Sequence, residues 1–274
     1  MTAAPRILCV GTHHKTGTTW MRGVFFALSA ALGIPRQRVP NPRATAKLPN
    51  TGRVFATNWR SRFHKDLLAS DEARFMHLIR DPRDVLISGA LYHEATDGRN
   101  EKFLYHPRKE LDGKSYQEHL RGLATYEEKL AFEMGGKHLD TIRQMRDWDY
   151  DNPRSMELKY EDLIEDTDCT LFRGVLEFFG LSQDEVDTGA KVFHDNSLFG
   201  KKGRDIRKTD HVRSGRAAQW MMKMPMAIAE LYLERHGADL IRFGYENDDS
   251  WIGLIAENAT SYSHSDAFIQ RAAG

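Results

Sequence analysis

The stretch Val10–Trp20, VGTHHKTGTTW, decides how this chain reads. Before it runs the apolar segment Ile7, Leu8, Cys9, Val10, and after it Met21, Val24, Phe25, Leu28 and Leu32 recur at helical spacing. That pattern predicts a strand, a tight loop and a helix. A loop with Gly17, several hydroxyls and Lys15 at a helix start offers backbone N–H groups and the positive end of the helix dipole to an anion. It reads as a phosphate cradle. It is not a Walker A loop, in which Lys directly follows the second Gly; here Lys15 stands two residues before Gly17, with Thr18 and Thr19 behind it.

Outward from the helix, Gly33 and Pro35 supply a stop, and residues 35–52 carry Pro35, Pro40, Pro42 and Pro49 without helical or strand period. This predicts a long loop. It holds Arg36, Arg38, Arg43 and Lys47 and no acidic residue, which suits either an acidic substrate or plain solvation. Residues 54–57 and 74–80 read as a second and a third strand. Asp81 then supplies an N-cap, Pro82 a first helical position and Asp84 a first-turn acid. In doubly wound sheets ligands sit beyond the carboxyl ends of the strands, so Arg80 and Ser88 are placed to reach the edge that holds the Val10 loop. A surface pairing of Arg80 with Asp81 or Asp84 is the plainer alternative.

Residues 97–115 are polar and irregular, and 116–134 and 137–148 read as packing helices. A fourth strand is predicted over 156–160, followed by a capped helix over 166–179 that stops at Gly180. The order β, α, β, β, α, β, α favours an α/β fold with a central, mostly parallel sheet flanked by helices. The expected organisation is one domain over 1–274, with its core at about 5–247 and a tail from 248 to 274. Residues 201–216 hold seven Lys or Arg against two Asp, a local excess that suggests an anion contact or a solvated charge run. Residues 217–235 read as a helix that Pro225 must kink or end.

Composition narrows the function classes. Thirty-nine basic and thirty-nine acidic residues cancel, so no global field favours nucleic acid or an anionic membrane. Two cysteines, Cys9 and Cys169, make neither a disulfide framework nor a metal site. No His, Cys or carboxylate cluster has ligand spacing, so no metal is expected. No run approaches the roughly 20 apolar residues of a membrane span, and no signal-peptide pattern is present, which makes a cytoplasmic location the simplest expectation.

Four blocks together resemble the sulfotransferase family, whose members use 3′-phosphoadenosine 5′-phosphosulfate (PAPS) as sulfuryl donor. HKTGTTW looks like the family's loop for the 5′-phosphosulfate, and IRDPRDVLIS like its 3′-phosphate motif. LKYEDLIED is similar to the strand ending in a Tyr-Glu-Asp turn, and VRSGRAAQW to the basic motif that closes over the nucleotide. The resemblance covers about 7–246 and implies a P-loop-like sulfotransferase fold. It implies that Lys15 contacts the oxygen bridging sulfur and phosphate, and that Thr16, Gly17, Thr18 and Thr19 hold the 5′-phosphate. Trp20 would stack on adenine, and Tyr160 would contact the base. Arg80 and Ser88 would bind the 3′-phosphate, joined by Arg213, Ser214 and Gly215. An Arg fork, a hydroxyl and free backbone donors are what a dianionic phosphate requires.

One departure concerns the proton acceptor. Cytosolic members carry a general-base His at the end of the second strand, whereas this chain reads Ala56, Thr57, Asn58. The remaining candidates are His14 and His64, with His93 weaker; each is also readable as a structural histidine. The expected reaction is transfer of a sulfuryl group from PAPS to an acceptor hydroxyl of a small molecule or carbohydrate, releasing adenosine 3′,5′-bisphosphate. The competing readings are a P-loop-type phosphotransferase and a non-catalytic nucleotide-binding protein. The family's short C-terminal dimerisation motif is not found, and a homo-oligomer is left open.

Overall fold

A computed structural model describes residues 4–97, 101–200 and 217–255. The described residues of Met1–Arg80 and Arg143–Arg216 form one compact unit, and those of Asp81–Ile142 and Ala217–Gly274 form a second.

The first unit is built on a five-stranded sheet: β1 (Ile7–Thr12), β2 (Arg36–Arg38), β3 (Val54–Asn58), β4 (Ala73–Ile79) and β5 (Ser155–Lys159). The spatial order is β2-β3-β1-β4-β5, and every pairing is parallel. Alternation along β1 loads both faces, as a parallel sheet requires. Leu8 and Val10 pack with Met21, Phe25 and Leu28 of α1 (Thr18–Leu32), while Ile7 and Cys9 pack with Phe63, Phe75 and Trp148. Because the chain leaves β1 toward β2 on one side and later places β4 on the other, the order reverses beside β1. That reversal is where such sheets bind ligands.

Two expectations change, and two helices join the unit. Within the predicted loop 35–52, Arg36–Arg38 forms the edge strand β2 on β3, and Pro42–Lys47 a 3-10 turn capped by Asn41; three residues are too few to show a period. The α2 helix (Lys65–Leu68) follows β3. The helix predicted from 166 starts later, as α8 (Thr170–Phe178), behind a separate short α7 (Tyr160–Glu165), and the Asp166 carboxylate accepts from the amides of Leu171 and Phe172 at 2.9 Å each. A further helix, α9 (Gln183–Asp195), starts at a Ser182–Glu185 capping box and packs Phe193 on Phe172 with ring centroids 4.1 Å apart.

The second unit is helical. It holds α3 (Pro82–Ala95), α4 (Tyr116–Gly122) and α5 (Tyr126–Gly135), so the predicted helix 116–134 is broken, with a new capping box at Thr125 and Glu128 restarting it. The α6 helix (Lys137–Arg146) runs on to the first unit's return. After residue 216 the chain forms α10 (Trp220–Lys223) and α11 (Met226–Arg242), with Pro225 separating them. Trp251, in the stretch expected to be tail, is buried against Trp220. Arg83 sits between these rings, its guanidinium 3.7 Å from Trp220 and 4.8 Å from Trp251, and it pairs with Asp81 at 2.8 Å and Glu246 at 2.6 Å. Asp81 therefore caps α3 and holds Arg83, and Asp84 accepts from the Trp220 amide at 3.0 Å.

Candidate functional site

The loop leaving β1 is shaped by two left-handed residues. Lys15 has φ 65° and Gly17 has φ 98°. Gly17 is required twice over: its φ suits glycine, and a Cβ there would stand 3.0 Å from Tyr160 and 3.3 Å from Leu78. Lys15, with no such freedom, is held at a cost of about 1–2 kcal/mol, a strain that the surrounding hydrogen bonds sustain.

His13 is the hub of those bonds. Its carbonyl accepts from the Thr16 amide at 3.3 Å, from Thr16 Oγ1 at 3.1 Å and from Thr18 Oγ1 at 2.7 Å. Its amide donates to Thr16 Oγ1 at 2.8 Å. Thr16 is fully buried and its hydroxyl also lies 3.2 Å from the Leu78 carbonyl, so that hydroxyl holds the loop itself. Thr18 is half-buried and Thr19 exposed. The α1 helix starts at Gly17 without a side-chain cap and without an acid in its first turn, which leaves its positive end suited to an anion.

The residue that follows β4 supplies the second cation. Arg80 is 6% exposed, its Nη1 donates to the Lys15 carbonyl at 3.4 Å, and its guanidinium lies 4.7 Å from the Tyr160 ring centroid. Lys15, Gly17, Arg80 and Tyr160 are thereby gathered at the carboxyl edge of β1, β4 and β5. Trp20 meets Tyr160 edge-on at 6.0 Å and leans on Phe193 at 5.4 Å. Ser88 lies half-buried on α3 in the second unit. Arg213, Ser214 and Gly215 lie outside the described residues.

The candidate bases occupy distinct settings. His14 is half-buried in the loop beside Lys15. His64 caps α2, its Nδ1 accepting from the Asp66 amide at 3.3 Å, with its side chain 40% exposed. His93 is sealed in the second unit with Nδ1 2.8 Å from Glu133. Asn58, at the position where cytosolic members carry His, closes a turn: its Nδ2 donates to the Arg62 carbonyl at 2.5 Å and its Oδ1 accepts from the Arg60 amide at 2.9 Å.

A row of polar groups that sequence reasoning missed runs behind the loop. On the sheet, Gly11 stands opposite His77 and His77 opposite Glu157. His13, two residues after Gly11, falls on the same face, and its Nε2 lies 2.8 Å from His77 Nε2. His77 Nδ1 is hydrogen-bonded to Glu157 Oε2, whose other oxygen accepts from Trp148 Nε1 at 2.7 Å and from Ser155 Oγ at 2.6 Å. Burial and the neighbouring His77 hold His13 well below the usual histidine range, against a smaller opposing effect of Gln144. The signal in sequence was a lone His within the apolar strand 73–79, and only the register says what it meets.

The sulfotransferase domain family model matches residues 5–239. The chain belongs to that family. Among solved structures, mouse sulfotransferase SULT7A1 complexed with PAP shares the fold with a TM-score of 0.57, at 12% identity over 93% of this chain and 91% of that one. Retinol dehydratase in complex with androsterone and inactive cofactor PAP aligns at 18% identity over 88% of this chain and 82% of that one, with a TM-score of 0.43. No curated protein sequence matches the chain. No helix among the described residues is long and apolar enough to cross a membrane.

Proposed function

We propose that this sulfotransferase, acting as one domain over 1–274, moves a sulfuryl group from PAPS to the hydroxyl of a polar small molecule or carbohydrate. The observation that carries the reading is the bond from Arg80 Nη1 to the Lys15 carbonyl, because it joins the ends of β1 and β4 and sets two cations at one sheet edge. A nucleotide bearing phosphates at both 5′ and 3′ positions matches two cationic contacts better than a single phosphate does. In this reading Lys15 stabilises charge on the departing 5′-phosphate, and the amides at the start of α1 with Thr18 and Thr19 hold it in line for transfer. Thr16 contributes its backbone, its hydroxyl being used within the loop. Arg80 takes the 3′-phosphate with Ser88 and the segment of Arg213, Ser214 and Gly215, while Trp20 and Tyr160 flank the base. His14 is the proposed proton acceptor because it adjoins Lys15, and His64 is the alternative. The polar composition of 35–52 and 97–115 supports a sugar or natural-product hydroxyl as acceptor.

The test is sulfate transfer from radiolabelled PAPS to a panel of hydroxyl acceptors, run beside an ATP-hydrolysis assay. Labelled product with no ATP hydrolysis supports the reading. Tight binding of adenosine 3′,5′-bisphosphate with no transfer to any acceptor would replace it with a nucleotide-binding protein.

A further inference from the structure

Three donors and acceptors in a row have only a few consistent proton arrangements, and the partners select among them. The Glu157 carboxylate accepts from Trp148 Nε1 and Ser155 Oγ, so it is an acceptor toward His77 as well, and the proton between them belongs on His77 Nδ1. The 2.8 Å contact between His77 Nε2 and His13 Nε2 makes one of these nitrogens the donor to the other, and the Gln144 side chain interacts with the same His13 ring. His77 itself is clamped flat on Trp148, ring centroids 4.1 Å apart at 20°. The row thus holds its three side chains in place. Its far end is the residue whose carbonyl gathers the amide of Thr16 and the hydroxyls of Thr16 and Thr18.

We infer that Glu157, His77 and His13 form a buried positioning relay in which β4 and β5 anchor the His13 side chain and so hold the loop of Lys15 in register for PAPS. The inference rests on the proposed function, since it takes the loop as the site of the sulfuryl donor. None of the three touches the reacting atoms. They act through the backbone of His13, and a loosened loop misplaces Lys15 relative to the departing phosphate.

Two variants separate this from a merely structural role. Glu157→Gln keeps the shape but removes the carboxylate charge and weakens the bond to His77 Nδ1. His77→Phe keeps the stack on Trp148 and removes both ring nitrogens. Each is compared with the wild type by calorimetric binding of adenosine 3′,5′-bisphosphate, by KM for PAPS and for the acceptor, and by thermal unfolding. The expectation is a KM for PAPS raised about tenfold in His77→Phe, the lower end of what outer hydrogen-bond partners of a site cost, with a smaller rise in Glu157→Gln and an unchanged acceptor KM. Wild-type nucleotide affinity and PAPS KM in both folded variants overturn the relay while leaving the proposed function standing. A wild-type protein that neither binds the nucleotide nor transfers sulfate overturns both.

Discussion

In the first unit Glu157 meets Nδ1 of His77, and in the second Glu133 meets Nδ1 of His93 at 2.8 Å. Both histidines are fully buried, yet the pairs end differently. The Nε2 of His77 continues to His13 and hence into the loop of Lys15. Glu133 also receives the Tyr116 hydroxyl at 2.7 Å, and that oxygen accepts from the Lys137 amide at 3.2 Å, so this network ties α3 to α4, α5 and the start of α6. Burial first, and the Glu133 charge second, push the Tyr116 phenol far above its usual range and keep it a neutral donor. Gly89 makes room for the arrangement, since a Cβ there would stand 2.8 Å from Glu133 Oε1. The same two residue types therefore reach a loop in one place and fasten helices in the other. What differs is whether the last member of the row sits on a loop or on a helix.

The largest expected effect lies at the loop itself. Lys15→Ala should lower kcat by about 10²–10³, the range for a lost stabiliser of developing charge, with little change in unfolding temperature. Single-turnover transfer from PAPS measures it. Next comes Glu133→Ala, which strands the His93 and Tyr116 donors and should cost on the order of 3 kcal/mol of stability in urea unfolding, each buried group left unsatisfied costing about 1–3 kcal/mol. The molecules that remain folded should keep the wild-type KM for PAPS. If that KM rises as it does in His77→Phe, the contrast between the two networks is lost.

Smaller effects come from protonation. His13 in the first unit and His138 in the second are both held well below the usual histidine range, each mainly by burial and then by a neighbouring histidine, His77 and His236 respectively. The unfolded chain binds protons near pH 6.5 that the folded chain refuses, so this stability is complete above 6.5 and lost as pH falls below it. His138→Gln, which can keep a bond to the Tyr232 hydroxyl now 3.0 Å away, should flatten that fall by up to about 1.4 kcal/mol per pH unit. Unfolding midpoints at pH 7.5 and 5.5 check it. The smallest effect belongs to Arg53 and Glu185, a half-exposed pair in the first unit. Hydrogen bonding to Arg53 chiefly lowers the Glu185 carboxyl to about 2. The pair's contribution is present above the ordinary carboxyl value and lost as pH falls toward 2, and solvent screening limits Arg53→Ala to about 1 kcal/mol at neutral pH.

The sequence by itself determined the strand–loop–helix of Val10–Trp20, the cap at Asp81 and Pro82, the parallel α/β class and the family motifs. These depend on period, caps and glycine placement within a dozen residues, where chain neighbours are also neighbours in space. It also singled out Asn58 as a departure, but only the turn from Asn58 to Arg62 shows what that side chain does. The edge strand β2 escaped because three residues carry no period, and its partner β3 lies beyond a 3-10 turn. The relay escaped for a stronger reason. His13 and His77 are 64 positions apart and His77 and Glu157 are 80, so their meeting is decided by the register of β1 on β4 and of β4 on β5. Register is set by the packing of both sheet faces at once, and a shift of one residue would turn His77 to the opposite face. The sequence supplied the histidines, and tertiary structure decided that one of them stands behind Lys15.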